Sequence, residues 1–150
     1  MIPLARVAQP AAIAVLRQAT ALRPKRNRAS DGLLPSKAHI KQNPNSDHNS
    51  GYAVDLTHDP ANGIDCHDIF HKLKADSRVK YLIFAGRIWS ETKGERDYDG
   101  ANPHNHHLHI SIKDNKGNDI SPWFPWMGVP TKLNTVKAAV KKKPKKKGTV

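Results

Sequence analysis

Histidine is the side chain whose ordinary titration falls nearest neutral pH and a common metal ligand, and this chain has nine of them in 150 residues. Four lie in the run Pro103-His104-Asn105-His106-His107-Leu108-His109. A solvated polar loop is the bland reading of such a run. From His107 onward, however, the sequence alternates: Leu108, Ile110 and Ile112 fall on one side, and His107, His109 and Ser111 on the other. A strand with one aliphatic face would set two imidazoles side by side on the opposite face. A second cluster reads Ser46-Asp47-His48-Asn49-Ser50-Gly51-Tyr52-Ala53-Val54-Asp55. His48 precedes an alternating stretch and Asp55 lies within it. Gly51 and Ala53 are expected to share the face of Asp55 and to leave room beside its carboxylate.

Imidazole nitrogen and carboxylate oxygen are ligands that zinc accepts, and catalytic zinc sites use three protein ligands while keeping a position open for water. A site with two imidazoles and one carboxylate lowers the pKa of bound water to about 7 and polarises a scissile carbonyl. The residue types therefore favour metal-assisted hydrolysis and leave the substrate open.

The elements that must position these groups follow from periodicity. Pro10–Leu22 reads as a helix, with proline in its first turn and Ala12, Val15, Leu16 and Ala19 at helical spacing before Arg23-Pro24 ends it. Lys25–Asn49 is a polar stretch, long for a loop in a compact domain. Gly51–Leu56 is strand-like. Asp65–Asp76 reads as a helix with Ile69, Phe70 and Leu73 on one face. Val79–Ala85 is a buried strand, Gly86-Arg87 turns into Ile88-Trp89, and Glu91–Pro103 is expected to be a polar loop. Trp123, Phe124 and Trp126, broken by prolines, suit a cap over the core better than a sugar-stacking platform.

Composition bounds the rest. The length allows one domain with a modest core. The net charge of +12 sits mostly at one end, since Lys132–Val150 carries eight lysines and no acid. Such an end is attracted to anionic polymers, or is simply a solubilising segment. A single cysteine, Cys66, excludes an internal disulfide and a cysteine-rich zinc finger, and a small buried thiol is its expected role. The apolar residues near the start are interrupted by Pro3, Pro10 and Arg17, so neither a signal-peptide core nor a membrane span is expected.

On these residues the chain resembles the D-alanyl-D-alanine carboxypeptidase and L-alanyl-D-glutamate endopeptidase family of zinc peptidases. Its first signature, S-x-H-x-x-G-x-A-x-D, is met by Ser46, His48, Gly51, Ala53 and Asp55, and its second, H-x-H on a strand, by His107-Leu108-His109. The likeness is nearest to endolysin-type members encoded by bacteriophages. These read like Arg28-Ala29-Ser30-Asp31-Gly32, Asp55-Leu56-Thr57-His58-Asp59-Pro60 and Gly100-Ala101-Asn102-Pro103-His104, and the similarity runs from about Pro24 to Trp123. The resemblance implies one zinc ion per chain held by His48, Asp55 and His109, with His107 assisting beside the metal. It implies an α+β fold, a small, mostly antiparallel sheet carrying the site, with two or three helices packed on it, as in hedgehog and D-Ala-D-Ala peptidase-like proteins. Residues 1–23 would belong to the same domain as the peptidase region 24–130, with 131–150 a disordered lysine-rich tail.

Many relatives place an acid three to six residues before the last ligand as general base. Here those positions are Pro103, His104, Asn105 and His106. His104 can serve as the replacement, since imidazole titrates near neutrality, and it ranks first because the phage-type pattern the chain resembles also has a histidine there; Asp97, Asp99, Glu91 and Glu95 are the more distant candidates. His39, His58, His67, His71 and His106 are expected to be surface or helix residues, and Arg28 a solvated loop arginine. The implied substrate is a peptidoglycan stem peptide. The implied enzyme is a monomer made in a bacterial host cytoplasm and acting at the cell wall, with anionic wall polymers as further partners of the lysines. Two alternatives carry weight: a zinc-stabilised binding domain without turnover, and a metal nuclease suggested by His104-Asn105-His106.

Overall fold

The computed structural model describes residues 7–33, 47–100 and 102–128. His39, the signature's Ser46 and the lysine-rich segment 131–150 lie outside them. The fold is α+β, with, among the described residues, one five-stranded antiparallel sheet and two helices, α1 (Pro10–Leu22) and α2 (Cys66–Leu73). The strands are β1 (Ala53–Thr57), β2 (Val79–Phe84), β3 (Arg87–Ser90), β4 (Gly94–Asp97) and β5 (His107–Ile112), in the order β1-β5-β2-β3-β4. No helix among the described residues is long and apolar enough to cross a membrane.

Alternation makes the sheet two-faced. Leu108, Ile110 and Ile112 of β5, Val54 and Leu56 of β1 and Leu82 of β2 are fully buried and pack with Ala11, Val15 and Ala19 of α1 and Ile69 and Leu73 of α2 in one core. Both helices thus cover the same face, and the histidine-bearing face is left for chemistry. Trp123 and Phe124 close the core, Trp123 donating from Nε1 to the Ala11 carbonyl at 2.9 Å, while Trp126 stays partly exposed. Cys66 is buried at the start of α2, and burial pushes its thiol up to about 12, so it is inert at neutral pH.

Three elements differ from the sequence reading. The second helix is shorter than Asp65–Asp76, because the Asp76 carboxylate accepts from the backbone and side chain of Arg78, competing with helix continuation. Glu91–Pro103 is not all loop: Gly94–Asp97 forms the edge strand β4. Its charged alternation hides a strand signal, as is usual at a sheet edge. Part of the Lys25–Asn49 stretch is also ordered against the sheet, since Gly32 and Asp55 exchange backbone hydrogen bonds of 3.1 and 2.8 Å.

Gly51 does not make room beside Asp55. It sits at φ +82°, and a Cβ there would lie 2.1 Å from the Val7 carbonyl oxygen, so only glycine allows the chain before α1 to approach the turn before β1. Gly51→Ala is expected to destabilise the fold by about 2 kcal/mol or more, from left-handed strain plus displacement of backbone. A urea midpoint indistinguishable from wild type would show that the packing relaxes freely.

Candidate metal centre

His48 stands in a 3-10 turn, Asp47–Ser50, closed by hydrogen bonds from the Gly51 amide to the His48 carbonyl and from the Tyr52 amide to the Asp47 carbonyl. Asp55 and His109 are brought together by strand register, being direct partners across β1 and β5. The Asp55 Oδ1 atom lies 3.1 Å from His48 Nε2 and 3.3 Å from His109 Nδ1. One ligand atom from each of the three residues falls within 4.8 Å of the others, close enough for one ion to touch all three after a small inward adjustment of the side chains. His48 and His109 are buried.

Outer contacts orient both rings. His48 Nδ1 donates to the Leu33 carbonyl at 2.8 Å, which leaves Nε2 facing Asp55. His109 Nε2 lies 2.8 Å from Ser111 Oγ, which leaves Nδ1 facing Asp55, and the Tyr81 ring stacks on the His109 ring. Such partners fix ligand tautomers and commonly strengthen metal binding by about 10–100-fold. None of Leu33, Ser111 or Tyr81 belongs to the signatures. Ser111 alone had a signal in the sequence, by sharing the His107 and His109 face.

The electrostatics suit a cation. Burial opposes charge on Asp55, but hydrogen bonds from His109 and His48 overcome it and hold its carboxyl well below the usual range. Burial likewise opposes charge on His48, yet Asp55 outweighs it, so His48 titrates above its ordinary 6.5. Both His48 nitrogens face oxygen acceptors, and the proton on Nε2 is the one a cation must displace. Divalent-metal affinity is therefore expected to rise about tenfold per pH unit between pH 5 and 6.5 and to flatten once pH passes the raised His48 pKa. Chelator competition across that range checks the sign; affinity flat from pH 5 upward would contradict it.

His107 projects from β5 beside the triad, with Nε2 3.6 Å from Asp55 Oδ2, and burial lowers its pKa despite that carboxylate. His104 reaches the same place from the preceding loop, its ring 5.0 Å from that of His107 and 5.6 Å from that of His109. Its φ of +60° is unusual for a non-glycine residue, and its backbone is clamped by its amide to Asn102 Oδ1 and its carbonyl to the Ala85 amide. His104 Nδ1 is buried with no hydrogen-bond partner among the described residues, and burial followed by His109 and His107 lowers the pKa to about 4.

Three of the four acidic candidates for a base are engaged elsewhere. Glu95 pairs with Lys74 and Arg87, Asp97 with Arg87, and Glu91 with Lys113. Asp99 and His106 are exposed. His67 and His71 project from α2 on the other side of the sheet, exposed and outside the group of potential ligands; His67 packs edge-on with both His58 and Phe84. Arg28 is exposed. Arg26, which sequence reasoning passed over, is fully buried and forms a two-pronged pair with Asp31 at 3.0 and 2.7 Å.

A family model described as VldE, C-terminal domain, matches residues 7–109, more than half of the chain and every group of the centre. The chain belongs to that family. No curated protein and no solved structure matches it.

Proposed function

We propose that this member of the VldE C-terminal domain family is a zinc metallopeptidase that hydrolyses an amide bond in peptidoglycan stem peptides, as a phage cell-wall lytic enzyme. The convergence of His48, Asp55 and His109, with His107 and the ring of His104 beside them, is the observation that carries this reading. Two imidazoles and a carboxylate match the donor set of zinc hydrolases. The signatures met by His48, Gly51, Ala53, Asp55, His107 and His109 supply the substrate class by resemblance to the D-alanyl-D-alanine carboxypeptidase and L-alanyl-D-glutamate endopeptidase family.

Zinc, when bound, supplies Lewis acidity to water and to the scissile carbonyl. The protein's own groups do the rest. Burial keeps His107 and His104 neutral at pH 7. A neutral His104 supplies an imidazole lone pair that takes the proton of an attacking water and returns it to the departing amine. His107, at the free oxygen of Asp55, is placed to orient the water or to donate to the developing oxyanion.

The deciding experiment is release of new amino termini from purified peptidoglycan, with chelator and then with zinc restored. Release that disappears and returns supports the peptidase, and fragment masses name the bond. Stoichiometric zinc binding without release from several wall types would leave the second reading, a zinc-stabilised binding domain. That reading is favoured by the commitment of Glu91, Glu95 and Asp97 to ion pairs. A nuclease is disfavoured, because His104-Asn105-His106 leads into β5 and not into a helix.

A further inference from the structure

The sheet register draws a line across the open face. Asp55 pairs with His109, His109 with Ile83, Ile83 with Ile88, and Ile88 with Arg96. Because alternate residues of a strand share a face, all five side chains lie on the side away from the helices. The line runs from the metal centre over an apolar floor, buried Ile83 and half-buried Ile88, to an arginine.

That arginine is unlike its neighbour on the same hairpin. Arg87, on the helix side, is neutralised by Glu95 and Asp97. Half-buried Arg96 pairs with no carboxylate among the described residues; its Nη1 has only the Gly94 carbonyl at 3.3 Å and Ser90 Oγ at 3.5 Å. A half-buried guanidinium held by neutral, long contacts retains its capacity for a two-pronged bond to a planar anion.

We infer that Arg96 is a specificity residue that binds a carboxylate of the peptide substrate, set back from the cleaved amide along the Ile83–Ile88 floor. The inference rests on the peptidase reading. Three strand spacings of ~4.8 Å put the Arg96 backbone about 14 Å from that of His109. Extended peptide advances ~3.4 Å per residue, so about four residues span the gap between backbones, and the reach of the Arg96 side chain and of an acidic substrate side chain shortens this to about two. The carboxylate therefore belongs about two residues from the reacting bond, not to the residue released, which suits an endopeptidase cutting an acidic peptide.

The test uses full-length, zinc-loaded protein and synthetic acidic stem-type peptides in three forms: unmodified, amidated at the internal acid, and amidated at the C-terminus. Calorimetry gives binding, and kcat and KM are measured separately. Wild type is expected to bind the unmodified peptide about tenfold more tightly than the internally amidated one. C-terminal amidation should matter little. Arg96→Ala should bind the unmodified and internally amidated peptides alike, with the loss in KM and with zinc affinity unchanged; Arg96→Lys should recover part of the preference. An Arg96→Ala protein that keeps the preference, or loses affinity equally for all forms, overturns the assignment, as does dependence on the C-terminal carboxylate instead. Carboxylate-dependent binding without hydrolysis would sink the peptidase reading while leaving Arg96 in place. Hydrolysis indifferent to the internal carboxylate would do the reverse.

Discussion

Replacing His109 with alanine is expected to weaken zinc binding by about a hundredfold or more and to abolish metal-dependent hydrolysis. Structural zinc sites bind with about 10–16 kcal/mol, so one ligand of three or four is worth roughly 3 kcal/mol. His109 is also the hub of the site: its Nδ1 faces Asp55, its Nε2 meets Ser111, and Tyr81 stacks on its ring. The same loss is expected for His48→Ala and Asp55→Ala. His107→Ala and His104→Ala should instead lower turnover while leaving zinc stoichiometry at wild type. Competition with a chromophoric chelator separates the two classes. Unchanged zinc affinity in His48→Ala and His109→Ala together would remove the triad from consideration.

Arg26→Ala is expected to cost about 3–5 kcal/mol of stability, because it strands a mostly buried carboxylate without its partner. The effect should reach the metal centre. Asp31, held by Arg26, also accepts from the Thr57 amide and hydroxyl, which fastens the segment before Leu33 to β1. That segment supplies the Gly32 bonds to the Asp55 backbone and the Leu33 carbonyl for His48. A fall of about tenfold in zinc affinity should accompany the lost stability, in keeping with outer contacts of metal ligands. Arg26→Lys keeps the charge without the fork and should fall between. Denaturant melts and chelator competition on both variants check this; a destabilised Arg26→Lys with wild-type zinc affinity would uncouple strut from site.

The candidate ligands were legible in sequence because strand alternation is a strong local signal. Leu108, Ile110 and Ile112 announce a buried face, so alternation alone assigns His107 and His109 to the other. Asp55 meeting His109 was not legible from periodicity, since register between strands far apart in the chain is a tertiary fact. Arg26 escaped notice because a lone arginine in a polar stretch reads as solvated; only its burial beside Asp31 distinguishes it from the exposed Arg28. β4 was hidden for a related reason. An edge strand carrying Glu95, Arg96 and Asp97 has the composition of a loop, and cross-strand pairing alone makes it a strand. The expectation that Gly51 leaves room beside Asp55 fails because what its missing Cβ admits is the Val7 backbone, a contact between distant segments that spacing does not show.

The β1–β5 pairing also has a kinetic consequence. His109 follows Asp55 by about fifty residues, so the coordinating groups meet only after a large loop has closed, whose entropy must be met before any contact rewards it. An unfolded chain offers a cation no preformed cage there. If the β1–β5 contact is completed after the rate-limiting step, bound metal acts as a latch: refolding proceeds at the same speed with or without it, and escape from the native state slows in proportion to occupancy.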